Sequence, residues 1–435
     1  MSDQWLVSVF PIGAGSEPAG MPILIDANDR IIAGEKLVEA AKSLGMTEVP
    51  VLCIEHLDEG EARALRIAMN KLSEGSEWDR QALGFEFRDL LELELDWSLD
   101  VTGFHSVEID NMVCEITTVA EEEEDAEAAA AAAMIADGPA ISQIGDIWEL
   151  GDHRLLCGSS LEPASLARLM EGERAAMVLT DQPYNVRVQG HVSGLGKHRH
   201  REFVQASGEM SEEEFTTFLT GSIITMRDAC EDGAYLYLYM DWRHIGEMNA
   251  AIRAAGLKLI NVAVWVKNQG GMGSLYRSQH ELVFIAKHGH GPARNNVQLG
   301  RFGRSRKNCW FYPGVNTFGK GRDELLALHP TPKNVSMLAD AIRDVTGRGE
   351  IVLDGFLGSG STLIACERTG RICRGVELDP LYVDLIVRRF EKETGLPATL
   401  QATGQTFAQV AERRLAEPEP TRPNVVARQR FRAAA

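Results

Sequence analysis

The stretch TDQPYNV, residues 180–186, follows the apolar run AAMVL and places an acid, a proline and a tyrosine after a predicted buried strand. An aspartate there can accept one N–H of a flat, amino-bearing acceptor, while the main-chain carbonyl of Gln182 or Pro183 accepts the other. Such bonds pull the nitrogen toward tetrahedral geometry and free its lone pair for attack on a methyl group. Tyr184 offers a ring on which an extruded base can stack, and proline rigidifies the loop. These residues form the candidate catalytic set: Asp181, Gln182, Pro183 and Tyr184.

A second motif is IVLDGFLGSGSTLIACE, residues 351–367, in which an apolar run ends at Asp354 and a helix is predicted to start near Ser361. Glycines in the turn between them allow close backbone approach to a ligand and direct N–H groups toward it. A further predicted strand ends at Glu377, about 20 residues on, where a carboxylate can bind ribose hydroxyls. The turn lacks the G-x-G-x-x-G pattern, and no G-x-x-x-x-G-K-[ST] loop is present. The motif predicts a nucleoside-cofactor site.

The elements that must position these motifs alternate along the chain. After a hairpin predicted in IWELGDHRLLCGS, the runs AAMVLTD, GAYLYLYMD, KLINVAVWVK and HELVFIAKHG read as strands, with helices between them. This alternation predicts an α/β fold with a Rossmann-like doubly wound sheet. Ligands of such sheets bind at the carboxyl ends of the strands.

Composition restricts the class of protein. The chain has 435 residues, 44% of them hydrophobic and 25% charged, as in globular proteins with more than one domain. No apolar run is long enough for a membrane span, and no secretory signal is apparent. The seven cysteines are scattered without C-x-x-C spacing, so we expect reduced thiols, no metal site and a cytoplasmic location. A zinc site from His191, His198 and His200 is disfavoured because no cysteine completes a tetrahedral set.

The low-complexity segment EEEEDAEAAAAAAMIADG predicts a linker. We therefore divide the chain into an N-terminal α+β domain at 1–117, a linker at 118–140, a C-terminal domain at 141–412 and a flexible tail at 413–435. Residues of about 268–325 are predicted to form a target-recognition insertion.

The C-terminal domain, over about residues 145–393, resembles S-adenosylmethionine-dependent DNA amino-methyltransferases of the N6-adenine and N4-cytosine group. The resemblance rests on TDQPYNV, LHPTPKNV, VLDGFLGSGST and GVELDPLYVDLIVRRF, in the order of the permuted class whose Asp-Pro-Pro-Tyr loop precedes the F-x-G-x-G loop. It implies S-adenosylmethionine as cofactor, double-stranded DNA as partner and hence association with the nucleoid; homodimerisation stays open. The implied cofactor contacts are Asp354, Phe356, Gly358, Gly360, Ser361, Glu377, Thr331 and Lys333.

A basic, glycine-rich tract at 287–307 contains no acid despite a net charge of −19. Lysine and arginine in such a tract suit phosphate contact, and asparagine suits base readout. The candidate DNA-binding residues are Arg277, Arg294, Asn295, Asn296, Arg301, Arg304, Arg306 and Lys307. Direct methylation of adenine N6 is the favoured activity, since cytosine-N4 enzymes more often carry serine at position 181.

Two departures from the family keep alternatives open. Gln182 stands where the family has proline, and Ser159 stands where an aspartate is common. An N4-cytosine methyltransferase, or a DNA-binding regulatory protein with a degenerate transferase domain, is therefore retained as an alternative.

The N-terminal region, over about residues 20–95, resembles a ParB-like domain in the pattern I-D-x-N-x-R-I-I-A-G, E-A-A-K-x-L-G, V-P-V and A-x-N-K-L. The arginine that binds a phosphate in that family is absent after Gly34, and Lys36 is a poorer substitute because its ammonium is a point charge. The resemblance therefore implies a structural or DNA-tethering role.

Overall fold

The computed structural model describes residues 23–26, 29–57, 60–62, 65, 80–91, 98–114, 139–186, 208–268, 270, 275–302, 305–314 and 333–416. Most of the linker, the histidine-rich stretch 190–203, Arg304, Thr331 and the tail from 417 lie outside these residues. The chain divides into two compact units, Met1–Val119 with Val297–Ser305, and Ala120–Asn296 with Arg306–Ala435.

The first unit contains a small sheet of three strands, β1 (Ile23–Asp26), β2 (Ile31–Ala33) and β3 (Val51–Ile54), in the order β2-β1-β3. The predicted helix runs over Glu35–Ser43, and Gly45 after it has a φ of 71°, as a helix-terminating glycine requires. Helical segments follow at Arg80–Leu91, Leu99–Thr102 and 106–114. Phe87, Met112 and their neighbours form its core.

The first unit also takes in a segment from the middle of the chain. Phe302 is buried, its ring lies 4.7 Å from that of His105, and its carbonyl accepts a 3.2 Å hydrogen bond from Asn111 Nδ2. These contacts of Phe302 explain why this segment belongs to the first unit and not to the second.

The second unit is built on an eleven-stranded sheet in the order β10-β8-β9-β7-β6-β11-β12-β5-β4-β13-β14. Its strands are β4 (Ile147–Leu150), β5 (His153–Cys157), β6 (Ala175–Thr180), β7 (Cys230–Met240), β8 (Lys258–Val266), β9 (His280–Lys287), β10 (Cys309–Phe311), β11 (Ile351–Asp354), β12 (Ile372–Glu377), β13 (Thr399–Leu400) and β14 (Gln405–Thr406). Its helices are Pro163–Met170, Glu212–Asp228, Ile245–Ala254, Val335–Val345, Ser361–Thr369, Pro380–Thr394 and Phe407–Ala416.

Both faces of this sheet are covered. Met177 and Val352 belong to one buried cluster, whereas their neighbours Val178 and Leu353 belong to another. Successive side chains of a strand point to opposite faces, so each cluster lies on its own side of the sheet. The predicted α/β class with a Rossmann-like sheet is confirmed.

The sheet is mixed, which the strand alternation did not reveal. Strands β5, β12, β11, β6 and β7 are parallel, but β9 runs antiparallel to both β7 and β8. The final helix reaches Ala416, and Arg414 pairs with Asp146 at 2.6 Å. Residues 413–416 are therefore helical and do not belong to a flexible tail.

No helix among the described residues combines the length and apolar character needed to cross a bilayer.

Candidate functional site

The two loops that carry the sequence motifs begin at adjacent parallel strands. Strand β6 pairs with β11, so Asp181 and Asp354 stand at the same edge of the sheet. Thr180 Oγ1 donates a 2.8 Å hydrogen bond to Asp354 Oδ1, and both side chains are buried. The candidate catalytic and cofactor loops therefore meet, as the sequence analysis expected.

The catalytic loop is held by its own side chains. Tyr184 OH donates to Asp181 Oδ1 at 2.7 Å. Gln182 is buried, and its Nε2 donates to Ser222 Oγ at 2.6 Å, whereas its Oε1 has no partner among the described residues. A side-chain bond to the helix Glu212–Asp228 thus anchors the loop at the position where the family has a second proline, and Pro183 follows it.

Lys333 lies against the catalytic loop, although the sequence analysis assigned it to the cofactor pocket. Its Nζ donates to Asp181 Oδ2 at 2.6 Å and to Glu281 Oε2 at 3.0 Å. Glu281 Oε1 accepts from Lys267 Nζ at 2.5 Å, and its Oε2 lies 3.0 Å from Tyr184 OH. We call these five residues the acceptor cluster: Asp181, Tyr184, Lys267, Glu281 and Lys333.

Glu281 is a member of the cluster that the sequence analysis did not identify. A glutamate at the start of an otherwise apolar strand is the signal that could have identified it, since buried carboxylates need partners.

Charges around the cluster oppose the effect of burial on each carboxylate. Burial raises the pKa of Asp181, and Lys333 acts against that rise. Burial also raises the pKa of Glu281, but Lys333 and Lys267 outweigh it and bring this pKa to about 2. Burial lowers the pKa of Lys333, whereas Asp181 and Glu281 raise it above its ordinary value. The cluster therefore combines the ammonium groups of Lys267 and Lys333 with the ionised Glu281 carboxylate and with Asp181.

The glycine-rich turn has the backbone that glycine permits. Gly358 and Gly360 have φ angles of 55° and 84°, and the helix Ser361–Thr369 starts directly after them. Gly358 N donates to Glu377 Oε2 at 2.8 Å, so the turn and the end of β12 are joined. Ser361 is buried beside this turn.

Two buried carboxyls flank that turn. Burial raises the pKa of Asp354 to about 6, and Phe356 N donates to its Oδ1 at 3.0 Å. Burial likewise raises the pKa of Glu377 to about 7. The Phe356 ring, half-buried, lies 6.0 Å from that of Phe218. Acceptors, amide donors and an aromatic ring therefore converge where a nucleoside was expected.

The expected DNA-contact residues do not share one environment. Arg277, Asn295 and Lys307 are exposed in the second unit. Arg294 pairs with Glu350 at 2.5 Å, and Arg301 belongs to the first unit, with its guanidinium over the Phe302 ring.

For two of those residues, burial and internal partners contradict the expected contact with DNA. Asn296 is 6% exposed, and its amide donates to the carbonyls of Arg343 and Thr346 at 2.7 and 2.8 Å, so it is not available for base readout. Arg306 is largely enclosed and pairs with Asp340 and Asp344 at 3.3 and 3.0 Å. Both side chains therefore bind the C-terminal part of the helix Val335–Val345 and the residue after it.

Within the described ranges, no group of three or more histidine, cysteine, aspartate or glutamate side chains could hold a metal ion. His191, His198 and His200 fall outside those ranges.

Residues 175–388 match the family model N6_N4_Mtase, described as DNA methylase. The type II methyltransferase M.HpaI of Haemophilus parainfluenzae is 21% identical over 259 residues, which cover 56% of this chain and 75% of that protein. The type II methyltransferase M2.MboI of Moraxella bovis is 24% identical over 179 residues, 40% of this chain and 64% of that protein. The crystal structure of the M1.HpyAVI–SAM complex aligns with 54% of this chain and 97% of its own at 17% identity, with a TM-score of 0.41. The segment 175–388 is thus similar to the N6/N4 DNA methylases.

Proposed function

We propose that this protein transfers a methyl group from S-adenosylmethionine to the exocyclic N6 of adenine in double-stranded DNA. The observation that carries the proposal is the meeting of the two loops through the Thr180–Asp354 hydrogen bond. It brings a hydrogen-bond acceptor for an amino group next to the glycine-rich turn. Direct transfer between two bound molecules requires this proximity.

The residues around the glycine-rich turn suit S-adenosylmethionine. Glu377 and Asp354 supply carboxylate oxygens for hydroxyl and ammonium donors, and Phe356 supplies an apolar ring. The start of the helix Ser361–Thr369 provides N–H groups that favour a carboxylate. When bound, this cofactor supplies an electrophilic methyl group on a sulfonium.

On the acceptor side, the Asp181 carboxylate receives one N–H of the flipped base, and a main-chain carbonyl of Gln182 or Pro183 receives the other. The amino nitrogen then directs its lone pair at the methyl carbon. With the cofactor bound, its sulfonium would supply the methyl group to the amino nitrogen and would leave as a neutral thioether, while the nitrogen would release one proton to water. Tyr184 stacks with the base, and its hydroxyl keeps the Asp181 carboxylate in plane for the incoming amine.

Methyl transfer from labelled S-adenosylmethionine to duplex DNA, followed by mass spectrometry of the nucleosides, tests the activity and the base. Asp181→Ala is expected to abolish transfer while leaving cofactor binding by calorimetry largely intact. Asp152→Ala, at an exposed aspartate of the same unit, is the matched control. Undiminished transfer by Asp181→Ala would disprove the catalytic assignment. N4-methylcytosine as the product would identify the alternative base, and cofactor binding without transfer would favour a regulatory protein.

For the N-terminal unit we propose the ParB-like, DNA-tethering role. Its support is the strand–helix pattern around Gly34 and the exposed ammonium of Lys36, which contacts Glu39 at 3.3 Å. Lys36→Glu is expected to weaken DNA binding in a titration of the full chain while leaving transfer at saturating DNA unchanged. Equal DNA affinity in variant and wild type would reject this role for Lys36.

A further inference from the structure

The acceptor cluster contains a buried carboxylate that the proposed chemistry does not use. Glu281 has a side-chain exposure of 8%, two ammonium groups bind its oxygens, Lys267 at Oε1 and Lys333 at Oε2, and Tyr184 OH lies 3.0 Å from Oε2. A buried carboxylate with two ammonium partners is costly to desolvate and gives only weak support to stability. Its placement beside the catalytic loop therefore suggests a role in the reaction.

The contacts form a chain that ends at the reacting side of the site. Lys333 is buried, at 6% side-chain exposure, and bridges Glu281 to Asp181, whose side chain is 24% exposed. Tyr184 makes the same bridge with its hydroxyl, which donates to Asp181 at 2.7 Å and lies 3.0 Å from Glu281. Asp181 is thus the partly exposed carboxylate of the cluster, and Glu281 is the buried one.

We propose that Glu281 is a positioning residue that acts through Lys333 and Tyr184 to orient the Asp181 carboxylate and tune its ionisation for the target amine, without touching the base itself. This inference rests on the proposed function, because Asp181 is the amine acceptor only if that function holds.

The charges in the cluster give the members opposite effects. Lys333 favours the ionised form of Asp181, so its loss raises the pKa of Asp181. Glu281 disfavours that form as a second negative charge, so its loss lowers this pKa. Lys267 contacts Glu281 directly; without it, Lys333 is drawn toward Glu281 and away from Asp181.

Three further titratable groups interact with Asp181: Asp354, Tyr184 and Tyr239. Glu281 also raises the pKa of both tyrosines, and Lys333 Nζ lies 3.3 Å from Tyr184 OH, so substitutions at 281 and 333 change the surroundings of these tyrosines as well. The titration therefore has to be read at the Asp181 carboxyl itself.

The test is the pH profile of single-turnover methyl transfer in the full-length protein. Lys333→Met and Lys267→Met are expected to move its acid limb to higher pH, and Glu281→Gln to lower pH, each by about one unit. Below the limb, one unit changes the ionised fraction, and hence the rate, about tenfold. Lys333→Arg, which keeps the cation, should leave the acid limb close to its wild-type position. Glu350→Gln, at a glutamate paired with Arg294, is the matched control and leaves the limb in place.

A second readout does not depend on turnover. The carboxyl carbon of Asp181, labelled with ¹³C and assigned with Asp181→Asn, is titrated by NMR in each variant and is expected to follow the same directions. Equal rate losses with an unmoved limb, or shifts of one sign in Glu281→Gln and Lys333→Met, would overturn the inference while the proposed function stands. A wild type that methylates no DNA would refute the proposed function, whereas the carbon titration would still show whether Glu281 changes the ionisation of Asp181. Lys267→Met, altered at a partly exposed residue, keeps the test decisive if Glu281→Gln does not fold.

Discussion

Replacing Thr180 with valine removes the bond that joins the two loops and nothing else of similar size. The two side chains have nearly the same shape, and position 180 is 1% exposed, so no cavity and no new solvent contact is created. The Asp354 carboxylate loses a donor at 2.8 Å but keeps Phe356 N at 3.0 Å. A hydrogen bond to a charged group contributes about 1.5–3 kcal/mol, and one to a neutral group about 0.5–1.5 kcal/mol. With the Phe356 N–H and the Thr362 hydroxyl retained as donors, we expect a loss of about 1.5–2 kcal/mol when the carboxyl is ionised.

The pH dependence of that loss follows from the carboxyl. Burial raises the pKa of Asp354 from 3.8 to about 6, so the folded state binds the proton more tightly than the unfolded chain does. This group therefore lowers stability as pH rises from about 4 to 6, and the Thr180 bond offsets part of that loss in the ionised form. Thr180→Val removes the offset and should cost about 1 kcal/mol more at pH 8 than at pH 5.

Urea unfolding followed by tryptophan fluorescence at pH 5 and pH 8 measures both quantities, because Trp148, Trp265 and Trp310 are all buried in the second unit. Thr180→Ser, which keeps the hydroxyl and loses one methyl group, is the control. It should cost about 1 kcal/mol at either pH. A Thr180→Val loss that is equal at the two pH values, or smaller than that of the serine variant at pH 8, would refute the reasoning.

Three further predictions concern other parts of the second unit. Gly233→Ala should cost more than about 3 kcal/mol in the urea assay, because its φ is 105° and a Cβ would lie 2.2 Å from a carbonyl oxygen; Gly349→Ala, with a φ of 74° and open space, should cost about 1 kcal/mol. Arg306→Met should cost about 3–5 kcal/mol by removing the cation that the Asp340 and Asp344 carboxylates share, with Arg343 still paired to Asp340. Lys307→Met should leave stability within about 0.5 kcal/mol and weaken DNA binding in a salt titration. Glu377→Gln should raise the melting temperature at pH 8 relative to pH 5, because burial holds this carboxyl near pKa 7 and its ionisation costs stability as pH rises from about 4.5 to 7; an equal change at both pH values would contradict this.

The sequence was informative where function depends on strand order. Asp181 and Asp354 each follow an apolar run, and a parallel pairing of the two runs is sufficient to bring them together. Exposure of polar residues in the basic tract was not predictable in the same way. Arg306 binds Asp344, 38 residues away, and Asn296 binds Thr346, 50 residues away. Composition at 287–307 carries no information about partners that lie so far along the chain.

The position of Glu281 follows from a reversal of strand direction. In a fully parallel sheet, the side chains at the edge that binds ligands come only from the carboxyl ends of the strands. Strand β9 runs antiparallel to β7, with Leu282 opposite Met240, so its first residues lie at the edge where β6 and β7 finish. Lys267 follows the end of β8, which pairs antiparallel with β9 and therefore finishes at that edge too. The acceptor cluster consequently draws its charges from two strand ends, one strand start and a residue two positions before the helix Val335–Val345. In a mixed sheet, a charged residue that begins an antiparallel strand has to be weighed with those that end the parallel ones.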